Sequence, residues 1–410
     1  MESARVPSRA LTLLMIACSP LRQPTEIPAA KTPGAEITVD AASDTGAAVE
    51  YMSEIWSPQP TRVRSDLQEL QARCGVADRA LATVARQWAA RPLVPDPDLD
   101  ADELEFLLRA AGSPYVWPRA WSARSPKGAF DRSELESRMV RWLSTMPQAG
   151  ERRCGMALQS SGQNEVMVVV VADVFADLVK PLPTRARVGQ WLDLDVMLLT
   201  DALDASLVLA GPDGVTKTLP TSLHGRSVRS WFAVGGSGAC DAQLLAVLPG
   251  GPRPVVQFRV QVGGDPPSTF QRESVPGEDA GNGQVHPTDA IQEMLEAARR
   301  LEGRTALIRD PALDHLAQRH AVAMRDAGFL SHDVGDGSPQ DRLQTAGISV
   351  ARGGENVAHA PDARSAHRAL WASPSHRANL LDPEFRRVGL GVARDRNQSL
   401  WVVQLFATLD

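Results

Sequence analysis

The chain has 410 residues, more than one hydrophobic core usually organises, so two or three domains are expected. With 43% apolar and 22% charged residues, the composition is that of a globular protein and excludes a wholly disordered or collagen-like chain. Its 43 basic and 49 acidic side chains give a formal charge of −6, which leaves no broad cationic face, so no nucleic acid is expected as a partner.

The first signal along the chain is Arg5 and Arg9 ahead of the short apolar run Leu11 to Ala17, which ends at Cys18. That order is the layout of a secretory signal. It resembles a bacterial lipoprotein signal over residues 1–18, which implies a lipid on Cys18 and a membrane partner through that N-terminal anchor. No stretch reaches the roughly 20 apolar residues that span a bilayer. Residues 19–54, rich in Pro, Ala, Thr and Asp, read as a flexible tether. The expected location is therefore the cell envelope, as an exported periplasmic or surface lipoprotein. An oxidising compartment permits disulfides, and Cys74, Cys154 and Cys240 form an odd set with no CxxC spacing. Cys74 and Cys154 fall in one proposed domain and are the expected pair.

Residues 55–180 read as helical first and extended last. Leu81, Val84, Ala85 and Trp88 recur at helical spacing, as do Leu104, Leu107, Leu108 and Ala111, whereas Val166 to Val171 is a β-branched run suited to a buried strand. Residues 181–263 change to short alternating runs separated by Gly and Pro, which predict an Ig-like β-sandwich. Residues 264–285 carry almost no apolar content and read as a second linker. Residues 286–410 return to the helix-then-strand order. Thr288 or Asp289 is a candidate N-cap for a first helix, Asp310 and Pro311 open a second that closes at Gly328, and Val388 to Phe406 reads as a hairpin.

An internal echo links the two mixed regions. Leu108 to Gly112 parallels Leu343 to Gly347, and Cys154 to Ala157 before a run ending at Phe175 parallels Val388 to Gly391 before a run ending at Phe406. Residues 55–180 are thus expected to be a diverged copy of residues 286–410. Alignment through Gly112 and Gly347 sets Ala120 opposite Glu355, and no histidine occurs between residues 55 and 178, so the copy should lack whatever site the original holds.

Seven of the eight histidines lie in the last 125 residues, and histidine both ligates metals and titrates near neutrality. His315, His359 and His367 read as solvent-facing, and His320 as a satisfied, partly buried imidazole. Phe329-Leu330-Ser331-His332, Gly354-Glu355-Asn356-Val357-Ala358, Trp371 to Leu381 with Ser373, Pro374 and His376, and Val388-Gly389-Leu390-Gly391-Val392 resemble the bacterial branch of the CAP superfamily, also called SCP-like. The resemblance covers residues 286–410. It implies a three-layer α-β-α sandwich with a cleft lined by two histidines and two acidic residues, matched here by His332, His376 and Glu355. The second acidic position has no counterpart, because Ala366 to Ser375 contains neither Asp nor Glu.

Ser373 is a natural N-cap and Pro374 a natural N1, which puts His376 at N3, where the positive helix end favours the neutral ring. A neutral imidazole can ligate a metal or act as a base. His332 and His376 are therefore candidate ligands of zinc or another divalent metal, and His332, Glu355, Asn356 and His376 candidate ligand-binding residues. Ser331, Ser373 and Ser375 neighbour the histidines, but no G-x-S-x-G elbow occurs, and Ser373 is more simply a cap whose hydroxyl is occupied. The expected class is α+β multidomain. Two functional readings stay open: a cleft that binds a small ligand, lipid, glycan or partner protein, with or without metal, or a metal-assisted hydrolase of envelope peptides or glycans with His332, Glu355 and His376 as catalytic candidates.

Overall fold

The computed structural model describes residues 48–91, 100–126, 130–146, 148–161, 163–284 and 286–410. The lipidation expected at Cys18 lies outside the described residues. The N-terminal part runs β1 (Glu54–Ile55), α1 (Gln68–Cys74), β2 (Val76–Ala77), α2 (Arg79–Ala89), α3 (Ala101–Ala110), β3 (Arg119–Pro126), α4 (Arg132–Leu143), β4 (Glu151–Ser161) and β5 (Asn164–Val174). Its sheet has the order β2-β4-β5-β3, with β2 parallel to β4 and the other pairs antiparallel. The valine run at residues 166–171 is apolar throughout because both faces of β5 are covered. Val166, Val168 and Val170 pack with α2 and α3, whereas Met167, Val169 and Val171 pack with α1 and α4. Cys74, at the end of α1, is bonded to Cys154 on β4, with their Cα atoms 6.0 Å apart.

The central part contains β6 (Ala176–Leu178), β7 (Leu182–Pro183), β8 (Arg185–Ala186), β9 (Trp191–Leu198), β10 (Ala205–Ala210), β11 (Thr216–Pro220), β12 (Ser222–His224), β13 (Ser227–Ala233), β14 (Gly238–Leu248) and β15 (Gly251–Val262). A five-stranded sheet, β11-β10-β14-β15-β8, and a four-stranded sheet, β12-β13-β9-β6, share one core. Alternate residues of β9 (Leu192, Leu194, Val196, Leu198) face Leu207, Leu244, Val256 and Phe258 of the other sheet, the period-2 pattern that such packing requires.

The C-terminal part contains α5 (Pro287–Leu301), β16 (Ile308–Arg309), α6 (Pro311–Ala327), α7 (Pro339–Thr345), β17 (Val350–Ala360), α8 (Ala363–Ala372), α9 (Pro374–Leu381), β18 (Arg387–Arg394) and β19 (Leu400–Leu409). The first helix starts earlier than the sequence suggests: Pro287 occupies N1 and His286 the N-cap, because the fixed φ of proline already suits the first turn. Asp310 accepts from Ala312 and Leu313 N–H to cap α6, and Gly328 ends it at φ +77°. The sheet order is β16-β18-β19-β17, again with one parallel pair at β16 and β18. Leu400, Val402 and Phe406 pack toward α5, α8 and α9, while Trp401, Val403, Leu405 and Ala407 pack toward α6 and α7. The result is three layers, α-β-α. A Cβ on Gly389 or Gly391 would stand 2.2 Å from the backbone of Leu313 or Ala317, so these glycines let α6 lie directly on β18.

The two mixed sheets have the same strand order and the same one parallel pair. Gly155 meets α2 at Leu81 and Ala82 as Gly389 meets α6 at Leu313. From that shared contact, register runs Gly155 to Val170 to Ala120 in one sheet and Gly389 to Leu405 to Glu355 in the other. Ala120 thus stands where the C-terminal sheet has Glu355.

The described residues fall within one compact unit. Residues 264–284 contain no helix or strand but lie on the C-terminal helices: Gly277 and Gly281 abut α5, the Pro276 carbonyl meets His367, and Glu278 pairs with Arg368. Arg368 of α8 also reaches Asp102 of α3 at 2.8 Å.

Candidate functional site

Glu355 sits on β17 between the sheet and the loop that follows α6, and its side chain is 1% exposed. A buried carboxylate needs partners for both oxygens. Oε1 accepts from His332 Nδ1 at 2.9 Å, and Oε2 accepts from Arg342 Nη2. Arg342 lies on α7 and is itself buried, donating through Nη1 to the carbonyls of His332 (2.9 Å) and Gly337 (2.5 Å). One guanidinium therefore fixes both the carboxylate and the backbone of the histidine. Since Nδ1 carries the proton shared with Glu355, the neutral His332 ring keeps its lone pair on Nε2.

His376 comes from the opposite side, at N3 of α9. Burial pushes its imidazole down to about 3, and the neighbouring His332 pushes in the same direction. Burial, rather than the helix dipole invoked from the sequence, dominates that shift. The ring is half-buried and has no hydrogen-bond partner among the described residues. Its backbone is held instead: Asn356 Nδ2 donates to the His376 carbonyl at 3.1 Å, and Asn379 Nδ2 donates to Asn356 Oδ1 at 2.9 Å. Asn356 is fully buried, and both ends of its amide serve these internal bonds. At the far end of α9, Arg299 donates to the carbonyls of Leu380 (2.7 Å) and Asp382 (3.2 Å), placing a cation where helix carbonyls point outward.

The central part contributes to this site, although no sequence motif signals it. Ser373 occupies the N-cap of α9, but its hydroxyl makes no cap bond. It donates to Gln243 Oε1 of β14 at 3.1 Å, and that oxygen also accepts from Ser375 N–H at 3.2 Å, so a side chain from another sheet caps the helix. Gln243 continues to Gln257 Oε1 (2.7 Å), and Gln257 Nε2 to Glu105 of α3 (3.1 Å). The turn joining β14 to β15 rests on the first histidine. A Cβ on Gly250 would stand 2.4 Å from Ser331 Oγ, and one on Gly251 would stand 3.0 Å from His332 Cβ. Gly251 also has φ +105°, a backbone conformation that favours glycine.

Among the other candidates, His315 is exposed. His320 is fully buried, with Nδ1 2.9 Å from Asp336 and Nε2 3.0 Å from the Ser331 carbonyl. His359 and His367 are not solvent-facing as expected. His359 stacks on Trp401 at 4.2 Å and meets Asp395, and His367 is 1% exposed with its Nε2 on the Pro276 carbonyl. Burial lowers the pKa of both rings. Ser331 Oγ lies 3.0 Å from the Gly250 carbonyl. None of the three serines bonds a histidine ring among the described residues.

Both Glu355 oxygens accept from protein donors, so the carboxylate orients His332. Among the described residues, no group of three or more His, Cys, Asp or Glu side chains is arranged to hold a metal ion. A divalent cation would find only two imidazole nitrogens here, with the carboxylate behind one of them.

Residues 292–406 match the family model described as CAP, cysteine-rich secretory protein family. The last third of the chain carries a CAP domain. A Bacillus subtilis protein, YkwD, is 30% identical over 116 residues, which cover 28% of this chain and 44% of that one. The chain thus spans less than half the length of this curated relative. Among solved structures, an extracellular protein containing a SCP domain from Bacillus anthracis is 20% identical, covering 46% of this chain and 66% of the other at a TM-score of 0.28. A cysteine-rich secretory protein from Staphylococcus aureus is 12% identical, covering 69% and 93% at a TM-score of 0.26. The CAP domain holds His332, Glu355, Asn356 and His376, while Gln243, Gly250 and Gly251 belong to the sheets before it.

Proposed function

We propose that the imidazole pair of the CAP domain binds a small ligand rich in hydrogen-bond donors, a glycan or peptide segment of the cell envelope. The observation that carries this reading is His376, a half-buried neutral ring with no protein partner among the described residues. Beside it, Glu355 and Arg342 hold the His332 ring in one orientation. Two imidazole acceptors, one of them held in orientation, suit hydroxyl or amide donors, because displacing loosely held water from such a site costs little. Calorimetric titration of the full chain with soluble muropeptide and oligosaccharide pools tests it. Heat of binding that disappears in the H332A/H376A double variant is the expected result, and binding unchanged by that variant overturns the reading. Zinc titrated alone is expected to bind weakly through the same two rings.

A hydrolytic reading rests on the His332–Glu355 pair, which has the geometry of a base and its orienting group. Turnover of the same pools by the wild-type chain that vanishes in E355Q favours catalysis; binding without turnover favours the module.

The same reading takes residues 1–18 as a lipoprotein-type signal with the lipid on Cys18, and the protein as exported. No helix among the described residues is long and apolar enough to cross a membrane. Residues 55–180 are assigned as a diverged CAP-like copy, supported by the shared strand order and by Ala120 at the register position of Glu355. Residues 181–263 are assigned as an Ig-like sandwich that walls one side of the imidazole site.

A further inference from the structure

The outer face of the sheet β12-β13-β9-β6 is unlike its inner face. The inner residues Leu192, Leu194, Val196, Val228 and Phe232 are all buried in the central core. Outward, Trp191 is 70% exposed and Trp231 is 74% exposed. In the antiparallel register Trp231 faces Asp193 and Ala233 faces Trp191, so the two indoles are diagonal neighbours on one face. Exposing two such rings wins nothing for folding, and paired exposed aromatics mark contact sites.

The ground between and beside the indoles is polar and ordered. Trp231 Nε1 donates to Asp193 Oδ1 at 2.7 Å, which holds that ring in place, and Lys180 donates to Asp193 Oδ2 at 2.8 Å. Asp195, next along the same face, is 2% exposed. Its Oδ2 lies 3.3 Å from Arg229 and 3.8 Å from Lys180, while its Oδ1 is buried without any hydrogen-bond partner among the described residues. The polar groups a ligand can reach on this face are therefore Asp193, Lys180 and Arg229, because Asp195 is covered.

We propose that this face is a glycan-binding platform, separate from the imidazole site, in which Trp191 and Trp231 stack on the C–H faces of sugar rings while Asp193, Lys180 and Arg229 pair with hydroxyl groups. Sugars fit the observation because a pyranose has an apolar face and a rim of donors and acceptors on the same ring. An acyl chain would meet the indoles but cover the exposed charges of Lys180, Asp193 and Arg229 with hydrocarbon. The charged groups already balance within the face, two acidic against two basic, which suits a largely neutral ligand.

The test is native affinity electrophoresis of the full chain in gels containing xylan, laminarin, hydroxyethyl cellulose or solubilised peptidoglycan strands. The expected result is retardation by at least one of these polymers. Each of W191A and W231A should weaken the interaction about tenfold, and the double variant should abolish it. Both indoles are exposed, so unchanged melting of the variants shows that folding is not the cause. The proposal is overturned if no polymer retards the chain, or if W191A/W231A binds like the wild type. It is also overturned if the double variant instead abolishes self-association in sedimentation, or loses only binding to phosphatidylcholine–phosphatidylglycerol vesicles. Loss of polymer binding in H332A/H376A would move the glycan to the imidazole site and sink this assignment while leaving the earlier one standing.

Discussion

Replacing His376 with glutamine probes the site through its response to acid. In the folded chain the ring takes a proton only near pH 3, whereas in the unfolded chain it does so near 6.5. Above 6.5 the ring is neutral in both states and its full contribution to stability is present. Below 6.5 the unfolded chain takes a proton that the folded chain refuses, so stability falls as pH drops toward 3. The slope approaches about 1.4 kcal/mol per pH unit, and the total is about 4 to 5 kcal/mol as an upper bound. Urea midpoints of wild type and H376Q, measured side by side from pH 7.5 to 3.5, isolate the effect, because every other titrating group is common to both. The advantage of the wild type over H376Q is expected to shrink steadily below pH 6.5 and to be flat above it. A difference independent of pH, or one that grows in acid, refutes the reasoning, since the ring would then be solvated enough to titrate normally.

Two further outcomes follow from packing. The Cys74–Cys154 bond closes a loop with a sequence separation of 80, and loop entropy gives about 4 to 5 kcal/mol for a closure of that size; C74A/C154A should melt far below the wild type, and equal melting temperatures would remove the bond from the stability account. Gly391→Ala places a methyl group 2.2 Å from the Ala317 backbone, so α6 must lift from β18 at a cost of at least about 2 to 3 kcal/mol, read as a lower urea midpoint; an unchanged midpoint would mean the helix does not lie where described.

Much of this was legible before any coordinates. The valine run of β5 announced a strand covered on both sides because its apolar residues do not alternate. His332, Glu355 and His376 were readable because their flanking motifs are local: a helix end, a glycine pair and a Ser-Pro helix start. Arg342 was not, because a single arginine on a short helix has no pattern that distinguishes a buried anchor from a solvated side chain. Gln404 offered a usable hint, a lone amide inside the apolar strand Leu400 to Ala407, and it does bond Asn356 at 3.2 Å. Gln243, Gly250 and Gly251 lay beyond reach for a different reason. Their role depends on how two separately patterned sheets dock, and periodicity carries no record of docking. The same limit explains His367, whose burial comes from residues 264–284, a stretch with too little apolar content to suggest that it covers anything.

The amide of Gln243 has a consequence for dissection. Cutting the chain ahead of residue 286 would leave Ser373 and the Ser375 N–H without the oxygen they share, and would uncover the side of α9 that leans on β10, β11 and β14. A CAP domain expressed alone would therefore be a different object from the one in the intact chain, with a frayed first turn at His376, and any recognition measured on such a fragment would describe the fragment. The boundary drawn most naturally by sequence similarity is, for this protein, the wrong place to put the scissors.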